Sequence, residues 1–337
     1  MNSGQIANSL SSCMRFGLIV FAGAVCFPAN RSLAAPPSEQ VLKAPAFEVR
    51  VVRDVTYRDL CPAEDAHRNK NKLDLYVPKG KKDFPVLFFV HGGAWTIGDK
   101  EHFGIYSALG MYWARHGVGV VLPNYRLSPD VRHPEHVKDV ARAFAWTHKN
   151  IQQYGGNPAQ VFVSGHSAGG HLAALLATDE TYLKAEGLTL AAIRGAIPIS
   201  GIYHIPESLA EAGVALHVTE KDVNSWRIKS KLNILNAVFG ADAEARRAAS
   251  PLTHVHGGVP PFLIIYADRD LLTLPEMACE FAAALKNNHC QAESLEVKHR
   301  SHMTVLLKAS RDDDPVSQAM RAFFDRVALP AQTAGRP

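Results

Sequence analysis

The chain is short of cysteine, of clustered charge and of long apolar runs, and each shortage excludes something. Of 337 residues five are cysteine, and only Cys61, Cys279 and Cys290 lie beyond the first 34. Three thiols permit one bridge and a free cysteine rather than a disulfide scaffold. None of them sits at a turn beside a base, which disfavours a cysteine nucleophile. The formal net charge of +4 comes without a Lys/Arg block, so nucleic acid is not an expected partner. The apolar run Phe16–Phe27 is too short for a stable membrane span. No internal repeat or low-complexity segment is evident. Histidine is plentiful, at 16 residues, and most are read as surface or helix-end residues. The rest, 47% hydrophobic and 20% charged, suits one large α/β domain.

The N-terminus has the pattern of an export signal: Arg15, the apolar run Phe16–Phe27, a small-x-small site at Ser32-Leu33-Ala34, and no acid before Glu39. Residues 1–34 are therefore expected to be a signal peptide, and the protein periplasmic or secreted. A buried N-terminal helix, initiation at Met14 and a lipoprotein cysteine at Cys26 are the alternatives, the last disfavoured by Val25. Residues 35–337 are expected to form the folded domain, after an extended Pro/Ala-rich arm over Ala35–Ala46.

Strand patterns alternate with helical ones along that domain. Strands are expected at Phe47–Tyr57, Lys72–Val77, Pro85–Val90, Val118–Leu122, Val161–Val163, Ala196–Ser200, Pro261–Ala267 and Ser294–Lys298. Helices are expected at Ile105–His116, Pro134–Tyr154, Gly170–Ala177, Leu274–Asn288 and Pro315–Val327. The run Gly155–Pro158 is read as a helix stop, and Pro198 as awkward in a central strand. Residues 202–258 break the rhythm and are read as an inserted cap. The pattern predicts a mostly parallel sheet of about eight strands with helices on both faces.

The stretch Val161–His171 (VFVSGHSAGGH) carries the chemistry. A buried strand, the G-x-S-x-G turn Gly165–Gly169 and an Ala/Leu-rich helix form the setting of a nucleophile elbow, with Ser167 at its tip. A serine needs a base, most often histidine oriented by a carboxylate. In a parallel sheet these partners are sought in loops at the C-terminal ends of later strands. Asp268 and Asp270 follow one such strand, with Asp270 favoured. His299 and His302 follow the last, with His302 favoured because it lies in the loop, while His299 is read as supporting the strand end. Upstream, His91-Gly92-Gly93 follows a strand where a second oxyanion donor is expected. The N–H groups of Gly92, Gly93 and Ala168 are assigned to the hole.

HGGAW at His91–Trp95, NYRLSP at Asn124–Pro129 and GHSAGGHLAAL at Gly165–Leu175, with KLDLY and the final SHM matching more loosely, resemble the α/β-hydrolase superfamily. The resemblance is to the serine esterase branch with an HGG-type oxyanion motif, and it spans about Phe47 to Val327. Within that branch the chain is similar to acetyl-xylan/feruloyl-esterase-like and kynurenine-formamidase-like enzymes. It implies the α/β-hydrolase fold, the triad Ser167, Asp270 and His302, and a small-molecule ester substrate. Ala94 departs from the third glycine of many HGGG members, which bears on the third donor and on bulky tertiary-alcohol esters.

Weaker signals remain. Trp95 and Trp226 are candidate substrate-binding residues, with core or lid packing the alternative for both. His254-x-His256 and His133-x-x-His136 lack a third ligand, so no metal is expected. Gly165–Gly170 is neither a dinucleotide fingerprint nor a P-loop, so no cofactor is expected. An arylformamidase and a non-catalytic binding protein on the same fold are the rival functions.

Overall fold

The computed structural model describes residues 47–59, 67, 69–207 and 234–328. The expected signal peptide and arm, Cys61, Trp226 and residues 208–233 of the expected cap lie outside them.

Eight strands follow one another along the chain: β1 Val49–Thr56, β2 Lys72–Pro78, β3 Phe84–Val90, β4 Gly119–Pro123, β5 Gly156–His166, β6 Gly195–Ile199, β7 Phe262–Arg269 and β8 Ala292–Ser301. Across the sheet they run β1-β2-β4-β3-β5-β6-β7-β8. β2 is antiparallel to β1 and β4, and the other neighbours pair in parallel.

Successive strand residues point to opposite faces, and both faces are apolar. On β3, Val86, Phe88 and Val90 enter one core while Leu87 and Phe89 enter the other. The first core is closed by helices α2 (Glu135–Asn150), α3 (Ala168–Thr178) and α6 (Leu274–Asn287). The second is closed by α1 (Ile105–Arg115) and α8 (Pro315–Val327). Short helices α4 (Glu180–Ala185), α5 (Ala243–Ala248) and α7 (Thr304–Leu307) lie in the connections. Trp113 of α1 meets Phe324 of α8 edge-to-face at 5.3 Å, which locks these two helices together over the strands.

Three local expectations change. The helix read over Pro134–Tyr154 ends at Asn150, and its last turn, Ile151–Tyr154, tightens into a 3-10 turn stopped by Gly155 at φ 93°. Gly156–Pro158, read as part of the helix stop, already belongs to β5, and a register shift between Phe84 and Val86 absorbs the extra residues. Pro198 does sit within the sheet. Ala196 and Ser200 donate their N–H groups to Pro261 and Ile265 at 2.9 and 2.7 Å, and the intervening proline has no hydrogen to give. The β6–β7 ladder simply skips that rung.

Of the expected cap, residues 202–207 and 234–258 are described, and they contain helical pieces and no strand.

Candidate active site

Ser167 sits between the end of β5 and the start of α3 with φ 57° and ψ −120°, a left-handed conformation that a serine adopts only where its surroundings enforce it. Its N–H donates to the Ile199 carbonyl at 3.0 Å, and its carbonyl accepts the His171 N–H at 2.9 Å. The turn is tight enough to demand its glycines. A Cβ on Gly165 would lie 2.3 Å from the Gly169 oxygen, and one on Gly169 would lie 2.1 Å from the Val90 oxygen. Both collisions are with backbone, which cannot rotate away. Ser167 is half-buried, and its hydroxyl makes no hydrogen bond among the described residues.

Asp270 and His302 meet after β7 and β8, as the strand order requires. His302 Nδ1 lies 2.6 Å from Asp270 Oδ1, with the carboxylate fully buried and the imidazole 13% exposed. Asp270 Oδ1 also accepts the Leu271 N–H at 2.8 Å, and Oδ2 accepts Ser200 Oγ at 2.5 Å and the Ala267 N–H at 3.2 Å. Burial pushes this carboxyl's pKa up, but the bonds from His302, Ser200 and Leu271 outweigh it and hold the pKa below the ordinary value. An ionised carboxylate only accepts, so Nδ1 of His302 carries the hydrogen, and in the neutral imidazole the lone pair is then on Nε2. Behind this pair, His166 Nε2 lies 2.7 Å from the His302 carbonyl oxygen.

Asp268 is held differently. Its Oδ1 accepts the Arg300 N–H at 3.0 Å, so it ties β7 to β8. His299 is an exposed residue of β8 at φ 59°. The structure therefore brings together the favoured acid and base and leaves the other two outside the pairing.

The oxyanion assignment needs one correction. The N–H of Gly92 donates to the Tyr106 hydroxyl at 2.8 Å, so it is already used. Among the described residues the N–H groups of Gly93, Ala94 and Ala168 make no hydrogen bond. Ala94 and Trp95 have φ of 49° and 59°, which turns the chain sharply after Gly93. Ala94 N–H, unlike that of Gly92, is left without a partner among the described residues. Gly92 instead provides clearance, since its Cβ would lie 2.8 Å from the His166 oxygen and 3.4 Å from Ser167 Cβ.

Trp95 is also reassigned. It is 4% exposed, donates Nε1–H to His171 Nδ1 at 3.2 Å, and packs edge-on against Phe239 at 4.9 Å. Its indole fixes the layer beneath residues 234–239 rather than facing an open cleft. The histidines of the weak metal spacings are engaged elsewhere: His136 Nε2 with Ser128 Oγ at 3.1 Å, His254 Nε2 with the Ala248 carbonyl at 2.9 Å. Among the described residues no group of three metal-ligating side chains comes together. Cys279 Sγ lies 3.5 Å from the Tyr266 hydroxyl, and Cys290 is a free thiol. A surface groove of about 790 Å³ lies at the opposite, N-terminal ends of β3 and β5, lined by Lys79, Lys81 and Lys82, and holds no nucleophile–base pair.

Ser200, His166 and Tyr106 were not singled out from the sequence, and Ala94 was noted only as a departure from a third glycine. Ser200 was within reach of the same strand-end rule, since it directly follows β6 on the rim that carries Ser167 and Asp270.

Residues 73–285 match the BD-FAE family. Esterase LipQ of Mycobacterium tuberculosis is 30% identical over 265 residues, covering 76% of this chain and 59% of the relative. Esterase LipC of the same organism is 32% identical over 264 residues, covering 76% of this chain and 62% of the relative. The chain thus spans about three-fifths of the length of these curated relatives. An inhibited esterase B from Lactobacillus rhamnosis shares the fold, with a TM-score of 0.67 at 19% identity, over 83% of this chain and 87% of that one. With the family match covering well over half of its residues, the chain belongs to the BD-FAE family, and it has the α/β-hydrolase fold.

Proposed function

We propose that the protein is a serine carboxylesterase that hydrolyses small carboxylic esters through an acyl-enzyme on Ser167. The observation that carries this reading is the buried Asp270 carboxylate, bonded to His302 Nδ1, in a chain whose nucleophile elbow adjoins the same imidazole through His166. His302 Nε2 takes the Ser167 hydroxyl proton as Oγ attacks the ester carbonyl. The N–H groups of Gly93, Ala94 and Ala168 receive the developing oxyanion. His302 then gives the proton to the leaving alcohol, and water repeats the cycle on the acyl-enzyme.

Ile97, Leu271, Leu272 and Met303 are exposed large apolar side chains, and each lies within four residues of Gly93, Asp270 or His302. They favour an ester with an apolar acyl or alcohol part. The described part of 202–258 supports its reading as a cap: His133 N–H donates to the Val238 carbonyl at 2.8 Å, and Phe239 packs on Trp95 and His171. The N-terminal pattern around Arg15 and Phe16–Phe27 supports export, which is checked by locating the full-length protein after cell fractionation.

The test is hydrolysis of p-nitrophenyl esters graded by acyl length, alongside feruloyl and acetylated-sugar esters and N-formylkynurenine. Ser167→Ala is expected to abolish ester hydrolysis in a folded protein. Near-full activity in that variant overturns the nucleophile, and preference for N-formylkynurenine replaces the esterase by the formamidase.

A further inference from the structure

We propose that His166 is a positioning residue, which holds the main chain of His302 against the nucleophile elbow and thereby sets the distance between the reacting hydroxyl and imidazole. The inference rests on the serine-hydrolase reading of the site.

The problem it solves is one of placement. Ser167 and His302 come from different loops, and the transfer of a proton between them tolerates little error; a misplacement of about 1 Å costs on the order of 100-fold in rate. Asp270 fixes the imidazole from the Nδ1 side. It leaves the backbone that carries the ring to be held by something else. The turn at Ser301–Thr304 is closed by its own side chains, with Thr304 Oγ1 accepting the Ser301 N–H at 2.8 Å. Such local bonds hold the turn's shape without anchoring it to the elbow.

His166 supplies the missing link. Its Nε2 lies 2.7 Å from the His302 carbonyl oxygen, across 136 residues of chain, and no other donor among the described residues reaches that oxygen. A carbonyl only accepts, so Nε2 carries the hydrogen and donates. The two rings also touch, with centroids 4.6 Å apart and planes tilted by 42°. His166 is itself immobile. It ends β5, its backbone pairs with Ile199 of β6, and it is 2% exposed. On its other side Gly92 lets the chain approach closely, since a Cβ there would lie 2.8 Å from the His166 carbonyl oxygen. Burial, together with the neighbouring His302, pushes the His166 pKa down to about 3. The ring therefore stays neutral at working pH and places no positive charge beside the catalytic imidazole.

The mechanism of the triad gives His166 no proton to move. Its contribution is geometric, and the test separates geometry from folding. His166→Leu removes the donor and keeps an apolar filler. His166→Gln brings an amide N–H near the former Nε2, and His166→Asn brings one only near Nδ1. Steady-state kinetics on a p-nitrophenyl ester, thermal melting and the rate of Ser167 labelling by a fluorophosphonate are measured for each. The expected result is a fall in kcat and in labelling rate of about 10- to 100-fold for Leu and Asn, with KM within about twofold and the amide of Gln restoring kcat to within about threefold of wild type. If Leu fails to fold, the Gln-against-Asn contrast decides. Equal kcat in Gln and Asn, or a kcat in Leu within twofold of wild type, overturns the proposal. A wild-type protein that neither hydrolyses esters nor labels at Ser167 overturns the underlying reading instead.

Discussion

Ser200 Oγ donates to the carboxylate oxygen of Asp270 that faces away from His302, at 2.5 Å. Its backbone stands at φ 47° immediately after β6, and it is buried. A charge-assisted bond of this kind contributes about 1.5–3 kcal/mol when its partner is ionised. Ser200→Ala is expected to raise the pKa of the Asp270 carboxyl and lower kcat by about tenfold or more, with KM little changed. Kinetics across a pH series checks this, and an unchanged profile places Ser200 outside the machinery. The same scale shows why Asp270 and Asp268 were hard to tell apart in the sequence. Both follow one strand two residues apart, and only the partner each one finds, an imidazole or the Arg300 backbone, separates them. Gly92 teaches the complementary point. Its place in the HGG motif was legible, but the direction of its N–H was decided by Tyr106, a residue of α1.

Elements are where the sequence read best. β3, α1 and α8 lie within a residue of their expected bounds because apolar periodicity and Gly or Pro punctuation coincide there. β8 is longer than expected, at Ala292–Ser301, because its edge position leaves polar side chains in solvent and weakens the apolar signal. The elbow is the element with least tolerance. Gly169→Ala drives a Cβ into the Val90 carbonyl, a collision that only a backbone shift relieves. It is expected to cost about 1–3 kcal/mol or more in unfolding free energy, read as a lower urea midpoint. Gly187→Ala, with open space around its Cβ but a φ of 76°, is expected to cost less. Similar losses for the two variants contradict the close approach of β3 to the elbow.

Across the whole molecule, most of the described histidines are half-buried or exposed, as expected, but His91, His136, His166 and His171 are buried and His133 is half-buried. Burial is the leading cause that pushes His91 and His133 down to about 4, and His136, His166 and His171 to about 3. A histidine of the unfolded chain titrates near 6.5. Below that pH the unfolded chain therefore gains protons that the folded chain refuses, so stability is complete above about 6.5 and falls as pH drops toward these lowered values. Each such group is expected to cost about 1.4 kcal/mol per pH unit over that range. Urea midpoints at pH 7.5, 6 and 5 check this; a midpoint that holds steady to pH 5 shows that the five rings are not buried neutral together. Loss of folding in acid is also expected to free the region beneath 234–239 early, because His133, His171 and the Ala249 carbonyl join there.

The order of strands and helices, the elbow with its serine, and the acid and base after the last two strands were determined by the sequence itself. Each depends on residues close together in the chain: periodicity over a few turns, a glycine two positions either side of Ser167, an ionisable group just past a strand. What only the tertiary structure decided were pairings between distant segments. Tyr106 occupies the Gly92 N–H, His171 takes Trp95 out of the cleft, and His166 grips the His302 backbone. A hydrogen-bonding group shows in the sequence what it can donate or accept, but its partner is chosen by the packing of a sheet whose neighbouring strands are far apart in the chain.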